Sequence, residues 1–233
     1  MRFMILRVKN YKKQEPSRNA QKIFVICEGN ATEPNYFEFF AGLSSNLSVI
    51  PIPSEDGKSD PVKLKEWAEA HLLGKNTSPD YREHDLVWFV VDTDEWQAQG
   101  KIAELRDFCA VLNSQERSRY SNLPVYDMWN VAQSNPQFEI WHYYHIYDEK
   151  PDSAEVSQSA SFKEYVNSKI QGGFDFNVHP VYVEDAIRNA SAHFSRDKDG
   201  YPSAYSTEVY LVCQQILPFV KKIVDVMKRK TRI

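Results

Sequence analysis

At 233 residues, 42% of them apolar and 26% charged, the chain has the composition of one globular domain, or of a core with an appendage. No apolar run approaches the roughly 20 residues of a bilayer-spanning helix, and MRFMILRVKN is too short and lacks the cleavage site of a signal peptide, so a cytosolic chain without membrane contact is expected. Three dispersed cysteines, Cys27, Cys109 and Cys213, suit neither a disulfide framework nor a zinc knuckle.

In chain order, residues 1–21 read as a basic, poorly ordered arm. Residues 22–28 form a short apolar run bounded by a turn signal, which predicts a buried strand. Thr32-Glu33-Pro34 opens a helix over about 33–43, with Thr32 as N-cap. LSVIPIPS (47–54) predicts a strand that Pro51 and Pro53 confine to a sheet edge or end. Ser59-Asp60-Pro61 caps a helix through about Leu73. DLVWFVVDTDEW (85–96) is the strongest strand signal, and an amphipathic helix follows over 97–113. VYDMWNVAQSN (125–135) is a further strand and FEIWHYYHIY (138–147) a helix. A polar stretch at 148–161 reads as a loop. Helices are expected at 162–171 and 183–195, a turn at 197–200, and a last helix over 206–230 that contains Pro218. The alternation over 22–147 predicts an α/β core with a parallel central sheet flanked by helices, and 148–233 a helical C-terminal extension packed on it. The net charge of −4 divides into +6 over residues 1–22, +5 over 221–233 and −15 between. Basic ends can contact phosphates or simply be solvated, while carboxylates in the body can hold metal.

Parallel sheets place their chemistry beyond the C-terminal ends of the strands, and two strands here end in acids. Asp92 and Asp94, at i and i+2 after one strand, project the same way about 6.5–7 Å apart. Glu28 ends another. If those strands are neighbours, about 5 Å apart, three carboxylates converge. At that spacing they repel and raise one another's pKa, and a hard divalent cation with oxygen ligands, Mg²⁺ or Mn²⁺, relieves the conflict. Gly29 lets the backbone turn tightly and a phosphate approach.

The strand-Glu-Gly and strand-D-x-D pair resembles the Toprim domain, the metal-binding catalytic domain of topoisomerases, bacterial primases and OLD-type nucleases. The series C-E-G-N-A-T-E-P-N-Y-F (27–37), V-D-T-D (91–94), S-N-P-Q-F-E-I-W (134–141), A-I-R-N-A (186–190) and T-E-V-Y (207–210) is similar to that of RloB-like Toprim proteins, over about residues 22–217. Gln137 and His142-Tyr143-Tyr144 depart from that pattern without touching the acids. The resemblance implies a Toprim-like Rossmannoid core and a metal-dependent nuclease that hydrolyses DNA or RNA in a bacterial anti-phage, abortive-infection setting. Glu28, Asp92 and Asp94 would be catalytic and metal-holding. It also implies an ABC- or AAA-type ATPase partner encoded nearby; the sequence has no G-x-x-x-x-G-K-[ST] loop, so any ATPase must be another chain. A homo-oligomer is compatible with it. The alternative is a non-catalytic regulatory subunit that uses the same fold to bind an ATPase or a nucleotide.

Other residues carry two readings each. Glu139, in the first turn of its helix, is a further metal ligand or a cap. Ser134 and Asn135 sit at the same sheet edge and, with Gly29 and Arg188, are candidate substrate contacts; Arg188 is as readily surface charge. Glu33 is a metal helper or a cap. Glu139 and His142 make one Glu-x-x-His pair, whereas a di-iron bundle needs two, so His142 and His145 read as polar members of an aromatic helix face.

Overall fold

The computed structural model describes residues 12–54, 60–74, 81–82, 85–119 and 127–231. The first half of the basic N-terminal arm, Ser59, the start of the strand expected from 125 and Arg232 lie outside the described residues. Strand β1 (Gln21–Cys27) is followed by α1 (Thr32–Glu38), β2 (Leu47–Ile52), α2 (Pro61–His71), β3 (Leu86–Asp92), α3 (Lys101–Arg119) and β4 (Trp129–Asn135). Then come α4 (Glu139–Tyr144), α5 (Ser153–Val156), α6 (Phe162–Lys169), a 3-10 turn (His179–Tyr182), α7 (Val183–His193), β5 (Ser206–Thr207) and α8 (Val209–Thr231).

The five strands form one sheet in the order β2-β1-β3-β4-β5, parallel throughout except for the antiparallel β5. The apolar runs explain the centre. Ile23 to Cys27 and Leu86 to Val91 are at most a few per cent exposed, as strands covered on both faces must be. Each such aliphatic or aromatic side chain contributes about 1.5–3 kcal/mol by leaving water. β2 takes the edge, where the missing N–H of Pro51 is tolerated. The chain steps one way from β1 to β2 and the other way from β2 to β3. Right-handed crossovers then set α1 on one face and α2 with α3 on the other, and α2 and α3 touch each other there.

Several elements differ from the sequence reading for local reasons. Thr32 is the first helical residue rather than the cap, which falls at Ala31 and has no side-chain bond. α1 ends at Glu38 instead of running to 43. The helix expected from 97 starts at Lys101, because residues 94–100 turn first. A short helix, α5, capped by Asp152, interrupts the polar stretch. Ser206 and Thr207 pair with β4 instead of starting the last helix. Residues 12–20 have no helix or strand but are tied down: Gln14 N–H donates to Gly42 O at 2.8 Å and Ser17 N–H to Ser45 O at 2.7 Å. Among the described residues no helix is long and apolar enough to cross a membrane.

Asn113 on α3 fastens the outer side of β4. Its Oδ1 accepts from Met128 N–H and Trp129 N–H, and its Nδ2 donates to Trp129 O, all within 3.0 Å and out of water. Asn113→Ala strands these backbone groups. A stability loss of about 3 kcal/mol is expected in urea unfolding, from buried unsatisfied groups at about 1–3 kcal/mol each partly recovered by water. A loss under 1 kcal/mol would show that the clamp carries little.

Candidate metal and phosphoryl-transfer site

The reversal of strand order falls between β1 and β3, the crevice where open α/β sheets bind ligands. β1 and β3 are direct partners, with Cys27 level with Val90. Glu28 therefore leaves the sheet beside Asp92. Its N–H donates to Val90 O at 3.0 Å, and its side chain arches over the end of β3. There Oε2 accepts from Asp92 N–H at 2.8 Å, and Oε1 accepts from the Trp96 indole N–H at 2.7 Å.

Four further carboxylates gather around this point. Glu33, from the first turn of α1, folds back onto Gly29. A Cβ at Gly29 would lie 2.2 Å from Glu33 Oε2, so any other residue there displaces the Glu33 carboxylate. Asp92 presents an Oδ1 that is sealed from solvent and has no donor among the described residues. Asp94, exposed, sits at a φ of +25°, in the left-handed region that Asp tolerates at a cost. Glu139 enters from the first turn of α4 and reaches Lys163 Nζ at 3.1 Å. Glu28, Glu33 and Glu139 are all buried.

Two carboxylates at neighbouring-strand spacing, about 5 Å, repel by about 3 kcal/mol at an effective dielectric of 20. Burial adds to this. The Glu28 carboxyl is pushed up to about 7, chiefly by desolvation and further by Asp94 and Glu33, against the pull of its two hydrogen bonds. Asp92 is driven well above the usual carboxylate range by burial, then by Glu33, Glu28, Glu139 and Asp94. Glu33 and Asp94 are also raised, again mainly by desolvation. An all-oxygen, anionic donor set with an unclaimed buried oxygen suits a hard divalent cation. The side chains are gathered but not converged: among the described residues no three His, Cys, Asp or Glu groups stand in ligating geometry. Both oxygens of Glu28 are engaged, and Asp94 faces outward.

The other expected contacts fall elsewhere. Ser134 is fully buried and its Oγ is 2.8 Å from Thr207 Oγ1, joining β4 to β5. Asn135 Nδ2 donates to Pro202 O at 2.8 Å. Arg188 is exposed on α7, paired with Asp185 at 2.9 Å, beside a hollow whose lining includes none of the five carboxylates. His142 is buried, stacks on Phe174 at 3.9 Å and is held neutral by desolvation. His145 bonds Tyr36 and the Trp141 carbonyl within the same aromatic cluster. Sequence reasoning missed Trp96, although an indole two residues after D-T-D was a visible donor. It also missed Lys163, for which no local signal exists.

A sequence model of one family, described as RloB-like protein, matches residues 23–216. No curated protein and no solved structure matches the chain.

Glu28 holds its proton more tightly folded than unfolded. Its contribution to stability is therefore complete below about pH 4.5 and is lost as pH rises through about 7. Without divalent cations the protein should lose about 3 kcal/mol of unfolding free energy between pH 5 and pH 8 from this group. Glu28→Gln should flatten that slope, as read from urea midpoints at each pH; an unchanged slope would place the titration elsewhere. Gly29→Ala should displace Glu33 and lower the thermal midpoint, an effect that Glu33→Ala in the same chain should relieve.

Proposed function

The chain belongs to the RloB-like family, and on that footing we propose that it is a Toprim-type nuclease, dependent on Mg²⁺ or Mn²⁺, that hydrolyses phosphodiester bonds in DNA or RNA. The observation that carries the reading is the buried carboxylate cluster at the β1/β3 switch point, with the Asp92 oxygen left without a partner. Stability alone gives no reason to gather five repelling acids, three of them buried. Their arrangement makes sense if a cation completes it.

Glu28, Asp92 and Asp94 would hold the metal, with Glu139 as a further ligand. When bound, such an ion polarises a phosphoryl oxygen and lowers the pKa of an attacking water. The protein's own groups do the rest. Glu28, titrating near neutral pH, can take a proton at the site and return it. Trp96 and Asp92 N–H fix the orientation of its carboxylate. Gly29 gives Glu33 the room to fold back beside the crevice. Lys163, at the rim, offers a positive charge to a phosphate. The wider reading is a phage-defence role beside an ATPase subunit, with the basic ends meeting the nucleic acid.

The unconverged carboxylates favour one other reading, a regulatory subunit whose cluster binds no metal and which uses the fold to hold an ATPase or a nucleotide. Calorimetric titration with Mn²⁺ separates the two without any need for turnover. A nuclease site should bind Mn²⁺ and raise the thermal midpoint at pH 8, and Asp92→Asn should abolish both effects. That variant should itself be more stable than the metal-free parent, since it removes a buried repelling charge. With Mn²⁺ and single- and double-stranded DNA and RNA, Glu28→Ala and Asp92→Asn should lower cleavage at least 100-fold. Cleavage retained in both variants, or no Mn²⁺ binding by the parent, would refute the nuclease assignment.

A further inference from the structure

On the β4 side of the sheet, one residue's backbone is left without a partner among the described residues. In a parallel ladder, alternate residues of a strand bond to one neighbour and turn their remaining backbone groups away from it. Val87 N–H donates to Met128 O at 2.8 Å and Thr93 N–H to Ser134 O at 2.9 Å. The even-numbered residues of β4 therefore serve β3, and Trp129, Val131 and Gln133 face outward. β5 covers only Ser134 and Asn135. Beyond it, the chain finishes the edge with its own side chains. Asn113 takes both backbone groups of Trp129. Glu208 takes both of Gln133: its Oε2 accepts from Gln133 N–H at 3.1 Å, and its own N–H donates to Gln133 O at 2.9 Å. Val131, between them, has no such cover among the described residues. It lines a hollow of about 270 Å³, room for about nine waters at their liquid volume.

The hollow carries charge as well. Arg106 donates to Glu208 Oε2 at 2.6 Å and to Gln133 Oε1 at 3.1 Å, while its Nε–H is enclosed and finds no acceptor among the described residues. Arg196 donates to Glu208 Oε1 at 2.6 Å and is partly exposed. Two guanidinium groups thus share one buried carboxylate. Asp127, exposed at the rim, is the other acid lining the hollow.

We infer that this hollow docks an extended, acidic segment of a partner protein. One residue of that segment exchanges backbone hydrogen bonds with Val131, and an adjacent carboxylate lies on Arg196 and Arg106. The open N–H and C=O pair of Val131 is the complement of another peptide, which is the basis of strand addition at sheet edges. The arginines select the acid, since guanidinium–carboxylate pairs are the strong, directional ones. The inference stands whether or not the carboxylate cluster cuts nucleic acid.

The test uses the full chain labelled with ¹⁵N and a blocked peptide, acetyl-Thr-Glu-Val-Glu-Thr-amide, beside its Thr-Gln-Val-Gln-Thr counterpart. The acidic peptide should shift the Val131 amide resonance saturably and bind at least tenfold tighter than the glutamine peptide. Arg196→Gln keeps Glu208 paired with Arg106, so the fold should survive, which a thermal melt checks. It should erase the difference between the peptides. The inference is overturned if the Val131 resonance does not move, or if both peptides bind equally. It is also overturned if inorganic phosphate alone gives the full shift, or if a short oligothymidylate displaces the same resonances with the same dependence on Arg196.

Discussion

The site depends on one opposition, between carboxylates that repel one another and a fold that buries them together. Glu28 and Asp92 leave adjacent strands within one residue of the same level, and nothing in the sheet can separate them. The protein manages the conflict with donors. The backbone N–H of Asp92 and the indole of Trp96 each satisfy one oxygen of Glu28, and Lys163 reaches Glu139. These donors do not offset the burial, and desolvation first, with the remaining repulsion added, raises the proton affinity of Glu28, Asp92 and Glu33. A carboxylate left charged there costs stability, which protonation relieves.

The second polar centre sits one strand further out and is better balanced. Glu208 is buried but meets two arginines and the backbone of Gln133. The two centres are physically joined: Arg106 donates to the Gln133 carboxamide, whose Nε2 donates to Thr93 Oγ1, inside the D-T-D segment, and to Gln97 Oε1. Gln133 is fully buried and fixed by this chain of bonds, so the position of the D-T-D turn is tied to the outer edge of the sheet. Asp94, in its left-handed conformation, is the part of that turn with least support and most solvent.

Much of this was legible in the residues. The apolar runs before Glu28 and Asp92 announced buried parallel strands, and the acids after them announced a site at the strand ends. Pro51 announced an edge. Residues 206–207 were misread because two residues of β5 carry no period of their own; only β4 beside them makes them a strand. Ser134 looked like a site residue because it ends a strand there, yet its side chain turns to Thr207. A strand end gives the level of a residue in the sheet, while the pleat and the neighbouring strand decide which way it faces.

The sequence by itself determined the α/β class and the acids Glu28, Asp92 and Asp94 as strand-end groups, because hydrophobic period and turn chemistry are local; the family was carried by the resemblance of its motif series. Only the tertiary structure decided that β1 and β3 are neighbours, which is what brings those acids together. It also brought in Glu33, through contact with Gly29, and Glu139, from a helix more than a hundred residues beyond β1. It set Trp96 on Glu28 and closed two arginines on Glu208. Those are pairings between distant segments, fixed by strand order and helix packing, and no local pattern encodes them.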